Sequence, residues 1–124
     1  MEIQKVSRNN IDIAIIQSNE LLLYDIDSAL DFMAAVNYET ECRNIAINKE
    51  SLTEDFFNLS SGLAGQILQK FVNYHIKFAI IGDLSKYTSK AFNDFMYECN
   101  NGKSIFFVPT KQEAIKKLAE ANNT

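Results

Sequence analysis

The apolar positions of this chain change period several times, and each change predicts an element. Glu2 to Val6 and Ile11 to Gln17 alternate or run apolar on either side of Ser7-Arg8-Asn9-Asn10, where the asparagines tolerate the left-handed backbone of a tight turn. The pattern predicts a β-hairpin. Leu21 to Ile26 is apolar without alternation, which suits a strand buried on both faces and predicts a third strand. The period then lengthens: Leu30, Met33, Ala34 and Asn37 fall on one helical face, so a first helix is expected over Ser28 to Tyr38, capped by Asp27 or Ser28.

Asn44 to Asn48 is too short for a helix and predicts a strand. Ser51 and Glu54 stand in a capping-box spacing, so a turn of helix is expected from Leu52. Leu63, Ile67, Leu68, Phe71 and Val72 lay a stripe along a helix ending near Tyr74, and Lys77 to Asp83 is the clearest buried strand, stopped by Gly82. Ser89 is placed to cap a helix with Phe92, Phe95, Met96 and Cys99 on one face and Gly102 as its stop. Ser104 to Val108 reads as a last strand. Pro109 ends its pairing, and Thr110 with Glu113 starts a fourth helix carrying Ile115, Leu118 and Ala119. A hairpin followed by alternating helices and strands implies an α/β fold, a mixed sheet with a parallel portion and covering helices.

The 124 residues suit one domain spanning 1–124, and 47% hydrophobic with 23% charged residues is ordinary for a globular chain. No apolar run approaches the roughly 20 residues that cross a bilayer, and the N-terminus lacks the pattern of a secretion signal, so a cytoplasmic location is expected. A net charge of -4 and only two arginines, Arg8 and Arg43, argue against nucleic acid as a partner. Cys42 and Cys99 lack the spacing of a metal or redox motif and are expected as small core residues; no metal or cofactor is expected.

The stretch Asn58-Leu59-Ser60-Ser61-Gly62-Leu63-Ala64-Gly65 stands out, because two hydroxyls and two glycines open an amphipathic helix. Free amides and the positive end of the helix dipole favour hydroxyls and anions there. One reading makes a serine the N-cap, with Gly62 and Gly65 letting the helix lie close on the sheet. The other notes that glycine costs roughly 1 kcal/mol inside a helix relative to alanine, so a pair of them suggests close approach by a phosphate or a partner. Phosphorylation of Ser60 or Ser61 would add about -2 charge at that surface and act as a switch.

Ser60 to Asp83, SSGLAGQILQKFVNYHIKFAIIGD, resembles the centre of the STAS domain of anti-sigma factor antagonists, in which a strand leads to an Asp-Ser-Ser-Gly-Leu-Gly type turn, a helix and a buried strand. SALDFMAAVNYET, LTEDFF and GLAGQILQKFVNY together resemble a bacterial family known as domain of unknown function 4180, over nearly the whole chain. The STAS resemblance implies a non-enzymatic domain that binds a regulatory kinase or anti-sigma factor. Its phosphoacceptor would be Ser61, or Ser60 beside it, and its partner-binding surface would comprise Asn58, Ser60, Ser61, Gly62 and Gly65. A second copy of the chain, as a homodimer, is compatible with the same reading. Leu59 stands where the STAS turn has an acid, and Lys49 to Leu59 is longer than the usual link.

The alternative is a small-ligand or enzymatic site. Parallel strands gather loops at their carboxyl ends, and here these would bring together Asn48, Lys49, Glu50, Asp83 and Ser85, suited to a phosphorylated metabolite. A serine hydrolase would need His75, the only histidine, as base. At 1.5 Å per helical residue it lies roughly 20 Å from Ser61.

Overall fold

A computed structural model describes residues 1–122. Strands β1 (Glu2–Arg8) and β2 (Ile11–Gln17) form an antiparallel hairpin whose turn places Asn9 and Asn10 at φ 54° and 66°. Two successive positive φ values define the turn that matches strand twist, and asparagine reaches them at modest cost. After α1 (Ile26–Thr40), strands β3 (Asn44–Asn48), β4 (Lys77–Ile81) and β5 (Ile105–Val108) add in parallel, alternating with α2 (Leu63–Asn73) and α3 (Lys90–Asn100). Helix α4 (Lys111–Ala121) follows β5. Strand order is β1-β2-β3-β4-β5, so the order never reverses and the expected mixed sheet is found.

Alternation along the strands builds two cores. Ile16, Ile47, Ile80 and Phe107 form one cross-strand row, all buried beneath α1, α2 and α3. On this side Phe71 of α2 stacks on Phe78 of β4, ring centres 4.1 Å apart, with both rings sealed from solvent. Burial of such rings stabilises by roughly 2–3 kcal/mol each. On the opposite face the row Ile15, Ala46, Ala79 and Phe106 is narrow at its middle, and Ala114 and Leu118 of α4 complete this second core. Two central alanines leave room for one helix to lie across the sheet.

Edge strand β5 is closed by a side chain. The Asn100 amide donates to the Phe107 carbonyl at 3.2 Å, and its oxygen accepts from the Phe107 N–H at 2.7 Å. The amide thereby imitates a neighbouring strand and blocks further pairing there.

Four local expectations are corrected. Leu21 to Ile26 is no strand: only Leu23 pairs, in a single parallel bridge with Leu52, while Leu21 is 54% exposed and Ile26 already belongs to α1. Helix α1 is longer than Ser28 to Tyr38 and is capped by Asp25, whose carboxylate accepts from the Ser28 N–H while the Ser28 hydroxyl closes the box. Its buried face is Ala29, Phe32, Met33 and Val36, whereas Ala34 and Asn37 are exposed. Ser51 caps nothing: it is fully buried in a 3-10 turn, Lys49–Ser51, and a second such turn, Glu54–Phe57, follows Thr53. The caps at Ser89 and Thr110 are as expected, each accepting from the amide three residues on.

Candidate functional site

Ser60 and Ser61 lie in a 3-10 turn, Leu59–Ser61, with Gly62 at φ 78° as the residue that turns the chain into α2. Asn58, Ser60, Ser61, Gly62 and Gly65 are all exposed and so form one accessible ridge. Neither serine is the N-cap proper, a position held by Gly62. The Ser61 hydroxyl instead donates to the Asp55 carbonyl at 2.8 Å and accepts from the Leu63 N–H at 3.2 Å. Ser60 donates to the Asn58 side-chain oxygen at 2.8 Å. Gly62 is accounted for by its left-handed backbone. Gly65 does not bring the helix close to the sheet, because a Cβ there would meet nothing within 4 Å.

The residues expected at the strand ends do come together. The Lys49 ammonium donates to the Asp83 carbonyl, and its stem passes over Gly82, where an added Cβ would lie 2.7 Å from Lys49 Cγ and Cδ. Asp83 Oδ1 accepts from the Ser85 N–H at 2.9 Å; this bond first, and then the Ser85 hydroxyl, holds the Asp83 carboxyl below its usual range. Asn48 is buried and occupied in folding. Its oxygen accepts from the Ser18 N–H and the Ser51 hydroxyl, both at 3.0 Å, and its amide donates to the Ser18 carbonyl at 2.7 Å and Glu50 Oε1 at 3.2 Å. The polar groups of this cluster largely satisfy one another. The unreversed strand order also lacks the switch point at which doubly wound sheets open a ligand crevice.

Sequence reasoning missed a neighbouring cluster. The Tyr87 hydroxyl donates to the Glu54 carboxylate, 2.8 Å from Oε2, and Lys86 pairs with Glu54 Oε1 at 3.3 Å. Tyr87 also stacks on Phe57, ring centres 4.6 Å apart. The Tyr87 hydrogen bond, ahead of the Lys86 charge, lowers the Glu54 pKa, and burial first, then the bond to Glu54, raises that of Tyr87. No spacing signal in the chain links residues 33 apart.

His75 lies beyond the far end of α2 in a left-handed conformation and is exposed. It is remote from both serines. Cys42 is buried; Cys99 is half-buried, and burial pushes its thiol up to about 11, which leaves it protonated and a poor nucleophile at neutral pH. Among the described residues no group of three His, Cys, Asp or Glu side chains gathers as for a metal ion, and no helix is long and apolar enough to cross a membrane.

The chain matches no curated protein and no solved structure. A family model described as domain of unknown function (DUF4180) matches residues 8–118, from the end of β1 into α4, and the chain belongs to that family.

Proposed function

We propose that this protein is a non-enzymatic, partner-binding regulatory domain of STAS-like architecture, with the Asn58–Gly65 ridge as its docking surface and Ser61, or Ser60 beside it, as a phosphoacceptor. The observation that carries the reading is the exposed serine pair at the entrance to α2. By resemblance the partner is a bacterial regulatory kinase or anti-sigma factor in the cytoplasm.

The chemistry of the ridge supplies a mechanism for such a switch. A phosphoryl group on Ser61 removes the proton that the hydroxyl donates to the Asp55 carbonyl, so the tie to the Glu54–Phe57 turn is lost. The added charge is favoured by the N-terminus of α2 but lies close in the chain to Asp55 and Glu54. Partner affinity then changes through both charge and the shape of the turn. Intact-mass measurement of protein co-expressed with its host's kinases tests this: phosphate on Ser60 or Ser61 is expected. Its absence under every growth condition would remove the switch.

A second reading, a small-ligand or enzymatic site at Asn48, Lys49, Glu50, Asp83 and Ser85, draws on the gathering of a lysine, acids and a hydroxyl at one sheet end. A thermal-shift panel of phosphorylated metabolites separates the two, since a tight ligand raises the melting temperature by mass action.

A further inference from the structure

At the other end of α2 a groove of about 360 Å³ opens towards α1, within the roughly 300–1,000 Å³ range of ligand pockets. Leu30, Met33, Ala34 and Ile76 give it an apolar lining, and Asn37 and Arg43 are among its polar members. Arg43 is the only charged side chain among the described residues that line it. Its guanidinium donates one N–H to the Tyr74 carbonyl at 2.9 Å, which anchors the group at the groove and uses one of its five donors. Along α1 the groove is bordered by the buried Met33 and by the exposed Ala34 and Asn37. Helix α2 has 11 residues, about 16 Å, so this groove is separate from the serine ridge.

We propose that the groove binds an amphipathic monocarboxylate, hydrocarbon against Leu30, Met33, Ala34 and Ile76, carboxylate on the Arg43 guanidinium. An apolar lining with a single cation selects a ligand with one anionic head and an apolar body. The carbonyl ends of α1 and α2 reach the same pole and act against an anion, and Arg43 offsets this at Tyr74. The sign of the preferred head group is therefore the decisive measurement.

Calorimetric titration of the full chain with octanoate, octanol and octylamine, below their aggregation concentrations, is the test. Saturable one-site binding of octanoate is expected, with octanol and octylamine weaker by about tenfold or more. Arg43→Gln should weaken octanoate by a similar factor, Arg43→Lys by less, and Ala34→Trp should abolish binding by filling the groove. Circular dichroism checks that each variant is folded; should Ala34→Trp unfold, Asn37→Trp at an exposed helical position fills the same space. Absence of saturable binding across a hexanoate-to-decanoate series overturns the proposal. So does octylamine binding as tightly as octanoate, or octanoate binding that neither Arg43→Gln nor a groove-filling variant alters. A Ser61 variant should leave the titration unchanged, which keeps this result independent of the partner-binding reading.

Discussion

The Ser61 hydroxyl and the Asp55 carbonyl are joined at 2.8 Å, so the residue preceding Gly62 ties the start of α2 to the turn that carries Phe56 and Phe57. Both of those rings are buried, while the serine that secures their turn is exposed. A change at the exposed Ser61 hydroxyl therefore acts directly on a segment rooted in the core.

Ser61→Ala removes the bond to Asp55 and the acceptor for Leu63 N–H, and should cost about 0.5–1 kcal/mol in urea unfolding. Ser61→Asp keeps an acceptor and adds a charge favoured at the helix start, so it should stay closer to the parent in stability while changing partner capture from lysate. Identical capture by parent, Ala and Asp forms would count against the ridge as a docking surface.

Tyr87→Phe keeps the stacking on Phe57 but deletes the hydrogen bond to Glu54. Folding lowers the Glu54 pKa below 4.5, so the charged carboxylate contributes stability above the unfolded value and loses it as pH falls through the folded one. The carboxylate is exposed, so the contribution is small. In Tyr87→Phe the Glu54 carboxyl, followed by NMR titration, should move back towards 4.5, and the loss of stability on acidification should shrink. An unchanged titration would assign the effect to Lys86 instead.

Gly82→Ala introduces a Cβ at 2.7 Å from the Lys49 stem and at φ 156°, so Lys49 must leave Asp83. A loss of about 1–2 kcal/mol is expected by thermal unfolding. The Asp83 carboxyl should nevertheless stay below its usual range, because the Ser85 amide and hydroxyl are its main causes and Lys49 a minor one. A return of Asp83 to an ordinary titration would show that the lysine dominates.

Asn48→Leu leaves the buried Ser18 N–H without a partner and takes one bond each from the Ser18 carbonyl and the Ser51 hydroxyl, which keep only the 3.2 Å bond between them. The orphaned amide costs about 1–3 kcal/mol and the two other lost bonds add to it, so a total loss of about 2–4 kcal/mol is expected. Glu50→Gln, which touches only the exposed side of the same network, should cost under about 1 kcal/mol. Equal costs for the two changes would mean that Asn48 is not the pin of this corner.

What the sequence determined by itself was local. The asparagine turn, the caps at Ser89 and Thr110, the stripes of α2 to α4 apart from the exposed Val72, and the buried strands are set by hydrogen bonds and periodicities spanning a few residues, and these are legible in order. The exposed serine pair was legible for the same reason, since a hydroxyl-glycine opening needs only the next turn of helix to define it. Tertiary structure decided the rest. Leu23 pairs with Leu52, Asn48 joins Ser18 across 30 residues, and Glu54 meets Tyr87 across 33, so each depends on which strands become neighbours. The same holds for the groove, where the ends of two helices meet beside Arg43. A short apolar run such as Leu21 to Ile26 carries no record of the segment that covers it. Only packing, which weighs one complete arrangement against another, made it a docked loop and gave Ile26 to a helix.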